Sequence, residues 1–562
     1  MPARLSLIIA LLVGLALGIY ATTPPAPRGI DAPVTQFSAA RAMADIRVIA
    51  ARPHPTGSAE NAAVRAYIQQ RMAALGMEVL TDSAPLSALS LKRLNRWSGR
   101  QDTAITLTNV IGILPGKDRS LPAVALMAHH DTVWGSPGAA DNTTGVAASL
   151  EVVRAIKAAG QPERDLIVLL TDAEELGLGG AEHFFANNPL RDRIGAIINL
   201  EARGGGGRAN MFQTSRANGE AMRLYATHAE QPAASSLAAF IYSVLPNDTD
   251  LTPALKGSYT AYNLAFIGRS GLYHSPLSTP ETLDQGSVQD IGNQTLDLAG
   301  ALLARDGIPS KAPDAVFFDW LGLVTVHYPA GLGWVMLGLA VLGFGWAARR
   351  DGAAGLGGGV LRFVGLVIIA GLLTYGFNWI SLGGERGEYY DRLAAIPRLE
   401  GMAVLACLAA FALVIAPWRA TTGAIAGFAA PLVLLASYGQ AVAPTAAYVL
   451  VVPVLLAGLA LAIPAGRART VASITAGALV ISYMLPLGHF VMQGVGPDMP
   501  MAAVLPFVLT VTLILPLWAP IGQRPARLGA GLAAGLAVAI ALWVQFDAPA
   551  ETVAVYAVPP PE

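Results

Sequence analysis

The stretch AVALMAHHDTVWGSPGAADNTTG, Ala123–Gly145, decides the fold of the polar half of this chain. Ala123–Met127 is a short apolar run of strand length. Ala128, His129, His130, Asp131 and Thr132 follow it. A Pro137–Gly138 turn then leads to Asp141 and Asn142, where a helical pattern over 141–160 begins. Strand, polar turn and helix in this order form the repeating unit of an α/β sheet. In such sheets active sites gather at the carboxyl ends of strands.

The same alternation continues on both sides. Candidate strands are Met77–Thr81, Ala104–Leu114, Asp165–Thr171, Ile194–Leu200 and Asn263–Gly268. Helical patterns occupy 180–187, 218–230 and 286–305. Two further helices fill 36–76, broken at Arg52–Gly57, with Ser58 as the N-cap of the second. The expected fold is an α/β sandwich with a mostly parallel central sheet and helices on both sides.

The residues after each strand carry the chemistry. His129 and Asp131 are two apart, so they share one side of an extended chain, and His130 points the other way. One of the pair can bind a metal while the other orients it. Asp141 opens a helix, where a plain N-cap role competes with ligation. Glu174 and Glu175 follow Asp165–Thr171, and adjacent carboxylates repel unless a cation or proton relieves them. The alternative is a solvated acidic loop. Glu201 ends the run Ile194–Leu200, and His274 precedes Ser275–Pro276. Asp248 and Asp250 read as a turn, with a cleft-lining role as the alternative. Arg203 either meets a peptide carboxylate or makes a salt bridge. Gly204–Gly207 reads as a flexible loop and His183 as a surface residue.

Taken together, His129, Asp141, Glu174, Glu175, Glu201 and His274 form an ordered set. Histidine and carboxylate donors suit Zn²⁺. Five such ligands with one shared carboxylate suit two ions, and a sixth carboxylate can take a proton from water.

Composition divides the chain. Of 562 residues, 54% are hydrophobic and 13% charged, against roughly 25% charged in ordinary soluble chains. From Ala330 onward there are 20 Asp, Glu, Lys and Arg residues, against 55 before it. The net charge of −1 and the low charged fraction exclude a nucleic-acid binder with a broad basic face. The single cysteine, Cys407, excludes an internal disulfide and a Cys-rich metal site.

An apolar segment, Leu5–Ala21, reads as a membrane anchor, with a cleaved signal peptide as the alternative. Eight more apolar runs follow at 331–348, 360–380, 401–418, 422–440, 445–464, 470–490, 500–520 and 528–546. The expected organisation is an anchor over 1–21, an extracytoplasmic domain over 22–328 and a bundle of about eight membrane helices over 329–562. Arginine placement supports this topology. Arg349, Arg350, Arg362, Arg419, Arg467, Arg469, Arg524 and Arg527 fall on the inner connections. Arg386, Arg392 and Arg398 fall on the outer ones, mixed with Glu385, Glu388, Asp391 and Glu400, and the carboxyl tail ends outside. His489 reads as interfacial. The spans hold almost no acidic residues, which argues against a proton-coupled transporter.

The segments MAHHDTV, PGAADNTTG, DAEELGLGG, INLEARG and YHSPLSTPE, within residues 36–305, resemble the aminopeptidase Y family of co-catalytic zinc peptidases (metallopeptidase family 28). The whole plan looks like the nine-span subfamily of vacuolar membrane proteases and endoplasmic reticulum metallopeptidases. The resemblance implies a zinc-aminopeptidase-like sandwich holding two Zn²⁺ ions. It implies His129 and Glu201 on one ion, Glu175 and His274 on the other, and Asp141 bridging both. Asp131 would orient His129, and Glu174 would be the general base. Ser278 stands where relatives often carry Asp. The implied activity is hydrolysis of peptide bonds, as an exopeptidase acting on a peptide or protein with a free amino terminus. The alternatives are a noncatalytic receptor or scaffold, a glutaminyl cyclase-like enzyme, or a transporter with an accessory domain. The Ala- and Gly-rich, Lys-poor composition favours a bacterial cell membrane, with a vacuolar or endoplasmic reticulum membrane if the source is eukaryotic.

Overall fold

A computed structural model describes residues 3–383 and 389–547. Glu385, Arg386, Glu388 and the carboxyl tail, all counted in the topology above, lie outside the described residues. The chain divides into two compact units. One is the first helix, α1 (Ala3–Thr22), together with the chain from Tyr328; the other begins at Thr23 and runs to His327.

The polar unit is built on seven strands. They are β1 (Glu78–Pro85), β2 (Thr106–Leu114), β3 (Ala123–His129), β4 (Leu166–Thr171), β5 (Ile194–Gly204), β6 (Ala209–Thr214) and β7 (Thr260–Gly268). Their order is β1-β2-β4-β3-β5-β7-β6. The four central strands run parallel, while β1, β2 and β6 pair antiparallel towards the edges. The sheet is therefore parallel at its centre and mixed overall. Strand β6 escaped the sequence reading because ANMFQT is short and half polar.

The helices are α2 (Ala39–Ile49), α3 (Ala59–Ala74), α4 (Ala88–Ser98), α5 (Thr143–Ala159), α6 (Gly179–Asn187), α7 (Gly219–His228), α8 (Ser236–Val244), α9 (Leu251–Ala254) and α10 (Gln285–Leu302). Polar caps start several of them. Ser58 accepts from Asn61 N–H for α3, and Asp284 accepts from Gly286 and Ser287 N–H for α10. A smaller ladder of β8 (Ala315–Trp320) and β9 (Val324–Pro329) follows.

Every residue of β3 is buried, and its side chains alternate between two cores. Val124, Leu126 and Ala128 join one core, which includes residues of α2, α5 and α10. Ala125 and Met127 join another on the opposite face, with Phe184 of α6 and Leu251 of α9. A strand covered on both faces reads as a continuous apolar run, which is why its sequence shows no alternation.

The apolar unit consists of α1 with α11 (Leu332–Asp351), α12 (Leu356–Ser381), α13 (Tyr389–Ala394), α14 (Ile396–Val414), α15 (Thr422–Val442), α16 (Tyr448–Ala462), α17 (Arg467–Val495), α18 (Val504–Ile514) and α19 (Gln523–Phe546). Eight of these helices, counting α18 with its flanking turns as Pro500–Leu517, are long and apolar enough to cross a membrane. The exceptions are the six-residue α13 and α16. The run 445–464 promised a full span, but a turn delays the helix to Tyr448 and it ends at Ala462, ahead of Pro464. Small residues let backbones meet in this unit. A Cβ on Gly343 would lie 2.6 Å from Gly458 O, so only glycine permits the α11–α16 approach.

Candidate metal centre

The parallel centre of the sheet brings the strand ends to one edge. His129 closes β3 and pairs in register with Thr171, which closes β4. Glu201 is carried by β5, which continues to Gly204 rather than ending at Leu200. Glu174 and Glu175 follow β4, and His274 follows β7 after one 3₁₀ turn. Asp141 sits in the turn before α5. The cap of that helix is Asn142, whose side chain accepts from Gly145 N–H, so Asp141 is free of the capping role.

All six residues converge. His129 Nε2 lies 3.1 Å from Asp141 Oδ1 and 3.7 Å from Glu201 Oε2. His274 Nε2 lies 3.2 Å from Asp141 Oδ2 and 3.2 Å from Glu175 Oε2. The two oxygens of Asp141 thus face two different triads, His129–Asp141–Glu201 and Asp141–Glu175–His274, each with ligand atoms within 4.8 Å of one another. Two donors of one tetrahedral zinc, each about 2.1 Å from it, stand roughly 3.4 Å apart. The donor set therefore fits a pair of such ions. Glu174 Oε2 is 4.0 Å from His129 Nε2, and its side chain keeps 14% exposure, enough to meet a water. It also forms a looser group with His129 and Glu175.

The electrostatics of these residues favour a cation. Burial pushes the Glu174 carboxyl well above its ordinary range, with Glu175, Glu201 and Asp250 adding repulsion. Burial also raises Glu175 and pushes Glu201 up to about 8. Asp141 goes the other way: burial opposes its charge, but hydrogen bonds from His129 and His274 hold it low. The buried Glu175 Oε1 has no hydrogen-bond partner. Clustered carboxylates with an orphaned oxygen are costly unless cations or protons relieve them.

Asp131 does more than the sequence suggested. Its backbone carbonyl lies 3.0 Å from His129 Nδ1, nearer than its carboxylate at 3.6 Å. The carboxylate instead accepts from Glu174 N–H at 3.1 Å and Glu175 N–H at 3.3 Å. One side chain therefore links the end of β3 to the loop carrying both glutamates. Asp131→Asn is expected to weaken metal affinity or activity by about 10- to 100-fold, as loss of such supporting bonds does elsewhere. Metal titration of the variant measures this.

Two loops are also tied to each other. Ser136 Oγ donates to Ser275 O, and Ala139 N–H donates to Ser278 O. Ser278 thus serves through its main-chain carbonyl. His274 has φ +55°, a left-handed value that costs energy for a non-glycine residue and is typical of functional positions. Its ring stacks on Tyr273 at 3.8 Å, and Arg203 lies over the Tyr273 ring. Gly204 is no loose hinge: at φ +117°, a Cβ there would lie 2.1 Å from Gly268 O.

Several supporting residues escaped the sequence reading. Asn142 Nδ2 donates to Glu201 Oε2, and Asn199 Nδ2 donates to Glu201 Oε1 and Asn263 Oδ1. The available signal was an asparagine inside an otherwise apolar strand, at both 199 and 263. Asp172 is buried, accepting from Thr56 Oγ1 and Thr108 N–H. Asp250 heads α9 rather than an exposed turn; it is fully buried, accepts from Thr171 Oγ1, and burial pushes its carboxyl up to about 6. Thr171→Val would strip that donor from a buried carboxylate. The expected loss of stability is about 1–3 kcal/mol, measured by denaturation of the purified chain.

Comparison with known proteins meets this geometry. Residues 109–299 match the model of peptidase family M28, and every residue of the two triads lies inside that range. This segment is a peptidase family M28 domain. Outside the M28 domain the likeness extends further along the chain. Endoplasmic reticulum metallopeptidase 1 of Rattus norvegicus is 30% identical over 324 residues, covering 55% of this chain and 36% of that protein. The vacuolar membrane protease of Schizophyllum commune is 28% identical over 430 residues, covering 71% and 45%. The chain spans between about a third and half of the length of such relatives. Among solved structures, an aminopeptidase from Aneurinibacillus sp. strain AM-1 is 16% identical with a TM-score of 0.39, over 50% of this chain and 98% of that one. A glutaminyl cyclase from Fimbriiglobus ruber is 17% identical with a TM-score of 0.37, over 49% and 98%.

Proposed function

We propose that this chain is a membrane-anchored zinc metallopeptidase that holds two ions and removes amino-terminal residues from peptides. The observation that carries the reading is the division of Asp141 between two His-carboxylate triads. His129 and Glu201 would hold one ion, Glu175 and His274 the other, and Asp141 both. When bound, the ions supply Lewis acidity, which polarises a carbonyl and acidifies a water.

The chain's own residues then divide the work. Glu174 takes a proton from the attacking water, whose oxygen adds to the scissile carbonyl carbon. As the C–N bond breaks, Glu174 returns the proton to the departing amine. Asp131 holds the Glu174 and Glu175 backbone in place throughout. Asn142 and Asn199 fix the Glu201 carboxylate, so its oxygens need no reorganisation. A substrate's free α-amine, being cationic, is drawn to the carboxylate-rich cluster. The arrangement of arginines around the spans supports an extracytoplasmic domain, and the Lys-poor composition supports a bacterial cell membrane.

Metal counting on the purified chain, combined with a panel of substrates varied at the amino-terminal residue, tests the reading. Two ions per chain with release of free amino-terminal residues is the expected result. One tight ion with pyroglutamate formation would replace it with a cyclase. Two ions without turnover across the panel would make the domain a receptor.

A further inference from the structure

A groove of about 500 Å³ opens on the apolar unit between α1, α14, α17 and α18. That volume lies within the roughly 300–1,000 Å³ of small-molecule sites. Its wall is chiefly apolar, with Ile19, Val404, Leu485 and Phe507 prominent. A hydrogen-bonded histidine and glutamate interrupt it. His489 Nδ1 lies 2.9 Å from Glu400 Oε1 and 3.1 Å from Oε2, and Gln493 Nε2 donates to Oε1 at 3.4 Å.

Glu400, expected in the connection before the run 401–418, is instead the fifth residue of α14. Among the described residues it is the one acidic side chain inside a membrane-length helix, since Asp351 is the last residue of its own. An ionisable group within a span is costly, and such groups mark sites where something polar is met. Lysine and arginine are absent from the groove's described lining. Its polar end therefore suits a hydrogen-bond donor better than a bare anion. In a bilayer the remaining wall faces hydrocarbon. Gly488 leaves room there, since an added Cβ would meet nothing nearer than Pro506 Cγ at 3.9 Å.

We propose that this groove is a phospholipid site. One acyl chain lies along the apolar wall, and a head group bearing N–H donors, as ethanolamine does, meets Glu400 and His489. The proposal rests on the membrane reading of the apolar unit, and the experiment keeps the two apart. The full chain is placed in phosphatidylcholine vesicles containing a phosphatidylethanolamine with a photoreactive acyl chain, irradiated, and its adducts mapped.

Adducts are expected to concentrate on residues 400–404 and 485–492. Gly488→Leu places a side chain in the groove from α17, where a Cβ has room, and Val404→Trp enlarges one from α14. Each is expected to lower labelling there about fivefold, with hydrolysis and the labelling of Leu528 on α19 unchanged. Unlabelled phosphatidylethanolamine should compete better than phosphatidylcholine, and Glu400→Gln should remove that preference. Adducts spread evenly over outward-facing helices, labelling undiminished in both filled variants, or equal competition by the two lipids would overturn the site. So would displacement of the label by an apolar peptide but not by lipid. Release of the chain from membranes by alkaline carbonate would remove the membrane reading itself.

Discussion

Glu174→Gln is expected to lower kcat/KM by about 10²- to 10⁴-fold, the usual worth of a positioned general base, while two ions stay bound. Glutamine keeps the size and most contacts of the side chain but cannot accept a proton. The main-chain N–H of residue 174 still donates to Asp131, so the loop should keep its shape. Burial raises the Glu174 carboxyl, the His129 ring opposes the shift, and its acidic neighbours raise it further. The looser group of Glu174 with His129 and Glu175 gives the experiment its edge. If metal content falls to one ion along with activity, Glu174 is a ligand and its assignment as the base is lost.

Asp141→Asn should do the reverse and remove metal first. The two carboxylate oxygens face His129 and His274, and an amide offers one neutral oxygen in their place. Loss of a mere supporting contact costs metal affinity roughly 10- to 100-fold, so loss of a shared ligand should exceed about 100-fold at each position. Elemental analysis should then find fewer than one ion per chain, with hydrolysis at background. Retention of both ions with slow turnover would mean that Asp141 does not join the two triads.

The parts of the site that repeat a simple rule were legible in advance. His129, Glu174 and Glu201 stand at or just beyond apolar runs, and the parallel centre of the sheet carries them to one edge. Other parts depend on distance in space. Asp250 looked like a turn residue because NDTD is a turn-forming string, yet it is buried and accepts a hydrogen bond from Thr171, 79 positions earlier. The second role of Asp131 was hidden for the same reason, since its partners are backbone N–H groups, which have no signature in sequence. One edge of the sheet was missed through length. Strand β6 has six residues and gains its place by pairing with β7, not by its own propensity.

The brevity of α16 also bears on how the protein meets membranes of different thickness. Fifteen residues rise about 22 Å, short of an apolar slab about 30 Å deep. Exposed to lipid, such a helix would thin the bilayer around it or draw polar groups inward. Most of α16 is instead buried, and its neighbours are α11, α15 and α17. The mismatch is absorbed by protein. Any thickness preference must come from helices that face outward, such as the 26-residue α12, which can tilt to suit a thin membrane.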